Sequence, residues 1–142
     1  MKKKNLFSYI RSILGRPKQI KTIEVQLSRE SIKELKSRLV TLMNEKKPFL
    51  QPGYHMKNLA DDLHIQPYQL SAFINQVMGA HFTDYINKFR ISHCELLMKA
   101  DPDARQNLKE LAYKCGFSNR NSFAAAFKKF TGFSPSDYIK QL

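Results

Sequence analysis

The chain is poor in what an enzyme or a membrane-spanning protein would carry. Its 142 residues include five glycines, two cysteines and only 12 Asp or Glu. The glycines form no glycine-rich phosphate loop. Cys94 and Cys115 lack C-x-x-C spacing and sit among helical residues, so they read as core thiols in a reducing compartment rather than a disulfide or metal pair. The histidines His55, His64, His81 and His93 are scattered, and none pairs with a carboxylate or Cys at ligand or triad spacing. His93 and Cys94 are adjacent and so point differently from a helix. No catalytic residue, metal or cofactor is expected. No run reaches the roughly 18 apolar residues that cross a bilayer. The start, MKKK followed by apolar residues, is interrupted by Arg11 and lacks a small-residue cleavage site, which excludes a signal peptide.

The scarcity of acids leaves 24 Lys or Arg largely uncompensated, for a net charge of +12. A polyanion is the expected partner, either nucleic acid or an anionic membrane surface. The excess is uneven. Residues 1–48 hold 13 bases against 4 acids, and residues 49–142 hold 11 against 8.

Apolar spacing divides the chain. Leu6, Ile10, Ile13 and Leu14 form a helical stripe surrounded by Lys and Arg, and Gly15 and Pro17 end it. Ile23, Val25 and Leu27 alternate as in a strand, within residues 18–27. Ser28 caps a helix on which Ile32, Leu35, Leu39, Leu42 and Met43 recur at helical spacing. After Pro48, Pro52 and Gly53 the pattern is helical throughout, with helices expected over 56–63, 67–78, 82–100, 107–115 and 120–130. Residues 101–106 read as a loop, Asn119 or Ser118 as a cap, and Ser134 with Pro135 as the start of a last helix.

The chain also repeats itself. GAHFTDYI at 79–86 returns as GFSPSDYI at 132–139. Leu59-Ala60, Leu63 and Ile65 match Leu111-Ala112, Cys115 and Phe117 at an offset of 52. Leu70 and Gly79 match Phe123 and Gly132 at 53, so one residue has entered the second turn. Each copy reads helix, tight turn, helix, glycine. Small Ala60 and Ala112 let two helices approach, Ile65 and Phe117 plug the turn, and the second helix keeps one apolar and one polar face. This pattern describes a helix-turn-helix, whose second helix fits a DNA major groove. An all-α interaction domain built of repeated hairpins is the alternative.

LAYKCGFSNRNSFAAAFKKFTGFSPSDYI and LADDLHIQPYQLSAFINQVMGAHFTDYINKFRI together resemble the DNA-binding domain of the AraC/XylS family of bacterial transcription regulators, across residues 44–142. MNEKKPFLQPG resembles the lead-in of members attached to larger sensor proteins. The resemblance implies an all-α fold. It has two helix-turn-helix subdomains (56–78 and 107–130) and a linker helix (82–100), and residues 1–43 ahead of it read as a basic N-terminal extension or connector. It further implies double-stranded DNA as ligand, RNA polymerase as partner and action in the cytoplasm. The family's base-contacting positions fall on Tyr68, Ser71 and Ala72 in the first unit and on Asn121 and Ala125 in the second. Helix geometry adds Gln69, Asn75, Arg120 and Lys128. Asn121 and Gln69 suit adenine and Arg120 suits guanine, whereas Ala72 and Ala125 touch only a thymine methyl. Those alanines depart from the long polar side chains common in the family, which shifts weight to DNA shape and backbone contacts. Lys57, Arg90, Lys129 and the cap amides near Gln66 and Ser118 are phosphate candidates. Arg90, inside a helix, alternatively serves as a structural partner for an acid, Lys128 and Lys129 as solvated charges, and Tyr68 as packing on its own helix.

Residues 1–21 carry seven Lys or Arg and no acid. They suit a juxtamembrane segment of a membrane-anchored sensor, an arm on DNA phosphates, or a helix lying on a membrane. A helical adaptor that docks on a protein or a membrane is therefore the competing function.

Overall fold

Helices start where the sequence offers a cap. The computed structural model describes residues 27–142, and all regular elements among these are helical. Helix α1 spans Arg29–Glu45. Ser28 caps it, its Oγ accepting the Ser31 N–H at 3.1 Å. Lys47, at φ 47°, turns the chain into a 3-10 turn, Pro48–Leu50. Then follow α2 (Met56–Asp62), α3 (Pro67–Ala72), α4 (Phe82–Ala100), α5 (Leu108–Lys114), α6 (Arg120–Thr131) and α7 (Pro135–Ile139). The stripe within residues 1–14 and the alternating segment 18–27, save Leu27, lie outside the described residues.

Two expectations are refined. The helix anticipated over 67–78 is α-helical only to Ala72 and then widens into a π-turn, Phe73–Val77. There the Met78 N–H reaches back to Phe73 O at 3.3 Å. The loop at 101–106 contains a 3-10 turn, Asp103–Arg105, fastened by Arg105 Nε to Met98 O at 2.6 Å.

The helices group into two compact units. Residues up to 39 join 56–85, and residues 40–55 join 86–142. Helices α1 and α4 each contribute to both. The lead-in at 40–55 thus belongs with the second helix-turn-helix, although the first follows it directly in sequence.

Among the described residues of the first unit the buried side chains are aliphatic apart from Phe73: Leu35, Leu39, Leu59, Leu63, Leu70 and Ile74, with the small Ala60 and Ala80. The Arg38 guanidinium donates to Leu63 O and closes the end of α2. In the second unit aromatic rings dominate. Phe117, Phe123, Phe127 and Tyr138 form a column with successive centroids 5.4, 5.6 and 5.3 Å apart, each pair edge-to-face. Such pairs add about 0.5–1.5 kcal/mol each beyond their burial. Tyr138 Oη donates to Glu95 Oε1 at 2.9 Å and ties α7 to α4.

Candidate nucleic-acid interface

The sequence repeat is also a repeat of backbone hydrogen bonds. In the first turn Leu63, His64 and Ile65 N–H bond to Leu59, Asp61 and Ala60 O; in the second, Cys115, Gly116 and Phe117 N–H bond to Leu111, Tyr113 and Ala112 O. His64 at φ 53° and Gly116 at φ 91° occupy the same left-handed position. Ile65 and Phe117 follow as plugs, with Phe117 buried and Ile65 half-buried. The extra residue of the second copy is Ser118, exposed just before the cap.

The second helices of the two repeats, α3 and α6, start differently. Asn119 is the cap of α6, its Oδ1 accepting the Ser122 N–H at 2.8 Å. Helix α3 begins with Pro67, and Gln69 Oε1 accepts the Gln66 N–H at 3.1 Å. Gln69, expected as a base reader, thus spends one lone pair of its amide oxygen on the helix start, and its second lone pair and NH2 group carry any adenine contact. The Gln66 N–H, one of the cap amides expected near a phosphate, is the donor of that bond.

Burial sets the remaining candidates out along faces. On α6, Phe123, Ala126 and Phe127 are buried, while Asn121, Ala125 and Lys128 lie four and three residues apart on an exposed stripe. Arg120 and Lys129 flank it, both exposed. Lys129 Nζ also lies 5.9 Å from the Phe130 ring centre. On α3, Leu70 is buried and Tyr68 is 54% exposed, with Ser71 and Ala72 half-exposed beside it. The same stripe continues to exposed Asn75 within the π-turn, where Asn75 Nδ2 approaches Ser71 Oγ at 3.4 Å. Lys57 on α2 is exposed. No acidic residue lies on α3 or α6, and cations on the last turn of α6 also suit its dipole.

Arg90, a phosphate candidate by sequence, has partners within the fold. Its Nε donates to Phe49 O at 2.7 Å, a terminal nitrogen donates to Gln51 O at 3.3 Å, and the guanidinium lies 5.4 Å from the Phe117 ring centre. Burial pulls its pKa below the ordinary value. Two backbone carbonyls and a ring engage the fork, where a structural role was expected to involve an acid.

A family model described as a helix-turn-helix domain matches residues 59–141, more than half of the chain. The chain belongs to the AraC-type helix-turn-helix family.

This AraC-type chain is 33% identical over 85 residues to YijO, an HTH-type transcriptional regulator of Escherichia coli named as uncharacterized. It is 35% identical over 97 residues to the transcriptional regulatory protein HptR of Staphylococcus aureus. These matches take up 60% and 65% of this chain but only 29% and 36% of those proteins. Among solved structures, the C-terminal domain of AraT, a response regulator from Geobacillus stearothermophilus, superposes with a TM-score of 0.60 at 25% identity, over 81% of this chain and 89% of that one. A Listeria innocua protein of unknown function gives 0.58 at 35% identity, over 72% and 93%.

In this AraC-type domain Cys94 and Cys115 are fully buried free thiols, as expected of core residues. Sequence reasoning missed the roles of Phe49 and Gln51 as acceptors for Arg90. The one available signal was the apolar Phe49 set between Pro48 and Pro52.

Proposed function

We propose that this chain is a sequence-specific, double-stranded-DNA-binding transcription regulator whose two helix-turn-helix units read adjacent major-groove segments. What supports this most is the pairing of a duplicated turn geometry with a recognition helix in each copy that buries one face and exposes a polar stripe. On the first stripe Tyr68, Ser71, Ala72 and Asn75 face the bases. On the second, Arg120, Asn121, Ala125 and Lys128 do. Lys57, Lys129 and the cap region at Ser118 meet phosphates. RNA polymerase as partner and work in the bacterial cytoplasm belong to the same proposal.

The test is duplex titration by fluorescence anisotropy across salt concentrations. Phosphate neutralisation predicts a log-log slope of about −0.9 per phosphate engaged. Asn121→Ala should weaken the preferred site by about 1–3 kcal/mol and relax specificity at one position. Equal weakening on every duplex would make Asn121 a backbone contact. Negligible duplex affinity would instead favour the helical adaptor, with residues 1–21 as its basic docking arm.

A further inference from the structure

The second helix-turn-helix is completed by a segment that precedes the first. The lead-in turn Pro48–Leu50 lies directly against the turn between α5 and α6. A Cβ built on Gly116 would overlap Phe49 O, lie 2.8 Å from Arg90 Nε and lie 3.2 Å from the Leu50 carbonyl carbon. Phe49 is buried, with its ring 5.4 Å from Phe89 and 6.3 Å from His93. Arg90 joins all three parties: Nε and a terminal nitrogen hold the strap through Phe49 O and Gln51 O, and the guanidinium covers Phe117, the plug of the turn. Phe117 then starts the aromatic column that runs along α6.

We infer that Arg90 is a positioning residue that clamps the Pro48–Gln51 strap to the Gly116–Phe117 turn and thereby sets the orientation of α6 for reading DNA. It rests on the DNA-reading function proposed above. The geometry accounts for both the residue type and the glycine. Only a planar fork reaches two carbonyls while lying over a ring, and a lysine replacement offers a point charge in its place. Only a residue without Cβ lets strap and turn meet. The segment ahead of the DNA-reading units is thus mechanically continuous with the second of them. A pull or twist on residues 40–47 is transmitted to α6 through hydrogen bonds and a stacked ring.

The test uses the full 142-residue chain with Arg90→Lys, and with Phe49→Leu as a second variant that loosens the strap from its other side. Two readouts separate positioning from a phosphate contact and from bulk stability. The first is native-state amide exchange without DNA. The Gly116 and Phe117 amides should exchange faster in both variants, while the equivalent His64 and Ile65 amides stay unchanged. The second is binding to a duplex carrying the preferred site and to one with the segment read by α6 scrambled. Arg90→Lys should lose about tenfold on the intact site and little on the scrambled one, a loss of the size carried by one good base contact. Its salt slope should match the wild type. Unchanged exchange at Gly116 and Phe117 in both variants would overturn the clamp. So would equal weakening of both duplexes by Arg90→Ala with a slope reduced by about one, since that is the signature of a lost phosphate contact. A wild-type chain that shows no site preference would defeat the DNA-reading proposal alone, leaving the exchange result to decide the clamp.

Discussion

The two helix-turn-helix units share a backbone plan and differ in almost everything that stiffens or charges it. Residues 67–78 contain no ionised side chain, whereas α6 carries Arg120, Lys128 and Lys129. The plug and core positions Ile65, Leu70 and Ile74 of the first copy become Phe117, Phe123 and Phe127 in the second. Helix α6 is regular from its Asn119 cap to Gly132, while α3 gives way to a π-turn after six residues. The second copy also has the strap and Arg90 against its turn. A duplicated fold therefore keeps the hydrogen bonds that define the turn and lets interior and surface diverge. In physical terms, the second copy has the stiffer interior and the more basic surface of the two.

The largest expected effect lies at the glycine under the strap, measured against the other left-handed glycine of the same copy. Gly116→Ala meets a backbone oxygen and an arginine, and adopts φ 91° besides. We expect a loss of about 3 kcal/mol or more in urea unfolding. Gly132→Ala, at φ 83° with open space around its Cβ, should cost only about 1–2 kcal/mol. Equal losses at the two glycines would remove the strap from the argument.

The aromatic column is next. Phe127→Leu gives up two edge-to-face partners and should cost about 2 kcal/mol, against less than about 1.5 kcal/mol for Ile74→Leu in the first copy. Matching values would mean that the column contributes burial alone. A smaller contrast concerns caps. Asn119→Ala removes a side-chain acceptor from the start of α6 and should cost about 1 kcal/mol. At His64 the sign reverses: this exposed residue stands at φ 53°, so His64→Gly should stabilise the chain by up to about 1 kcal/mol. A destabilised variant would show that the imidazole makes a compensating contact.

The weakest effect is in pH. Burial, then the Lys47 charge, holds the His93 pKa below its ordinary 6.5. The unfolded chain then takes up a proton first as pH falls, so the stability linked to neutral His93 is intact above about 6.5 and declines below it. The melting temperature of His93→Gln should fall less than that of the wild type between pH 7 and pH 5.

Most of the second unit was legible because its signals are local. Asn119, Gly132 and Ser134 announce helix ends, and Phe123 and Phe127 sit four residues apart on one face. Cys94 and Cys115 fit the core by spacing alone. What the sequence concealed depends on partners far along the chain. Arg90 reads as one more base on a helix until Phe49 O, 41 residues away, is seen to accept its proton. Nothing in the type of Gln69 reveals that the Gln66 N–H bonds to its oxygen. The π-turn is hidden for another reason: PYQLSAFINQVM keeps helical periodicity, and one widened turn shifts it too little for apolar spacing to register.

The central claim is that two unlike units read one continuous site. Selection of a random duplex library by the purified chain at about 150 mM salt, followed by sequencing, tests it most directly. The account predicts two short enriched motifs separated by about 10 bp, with Asn121→Ala relaxing only one of them. A single enriched motif, or salt-sensitive binding with no enrichment at all, would contradict it.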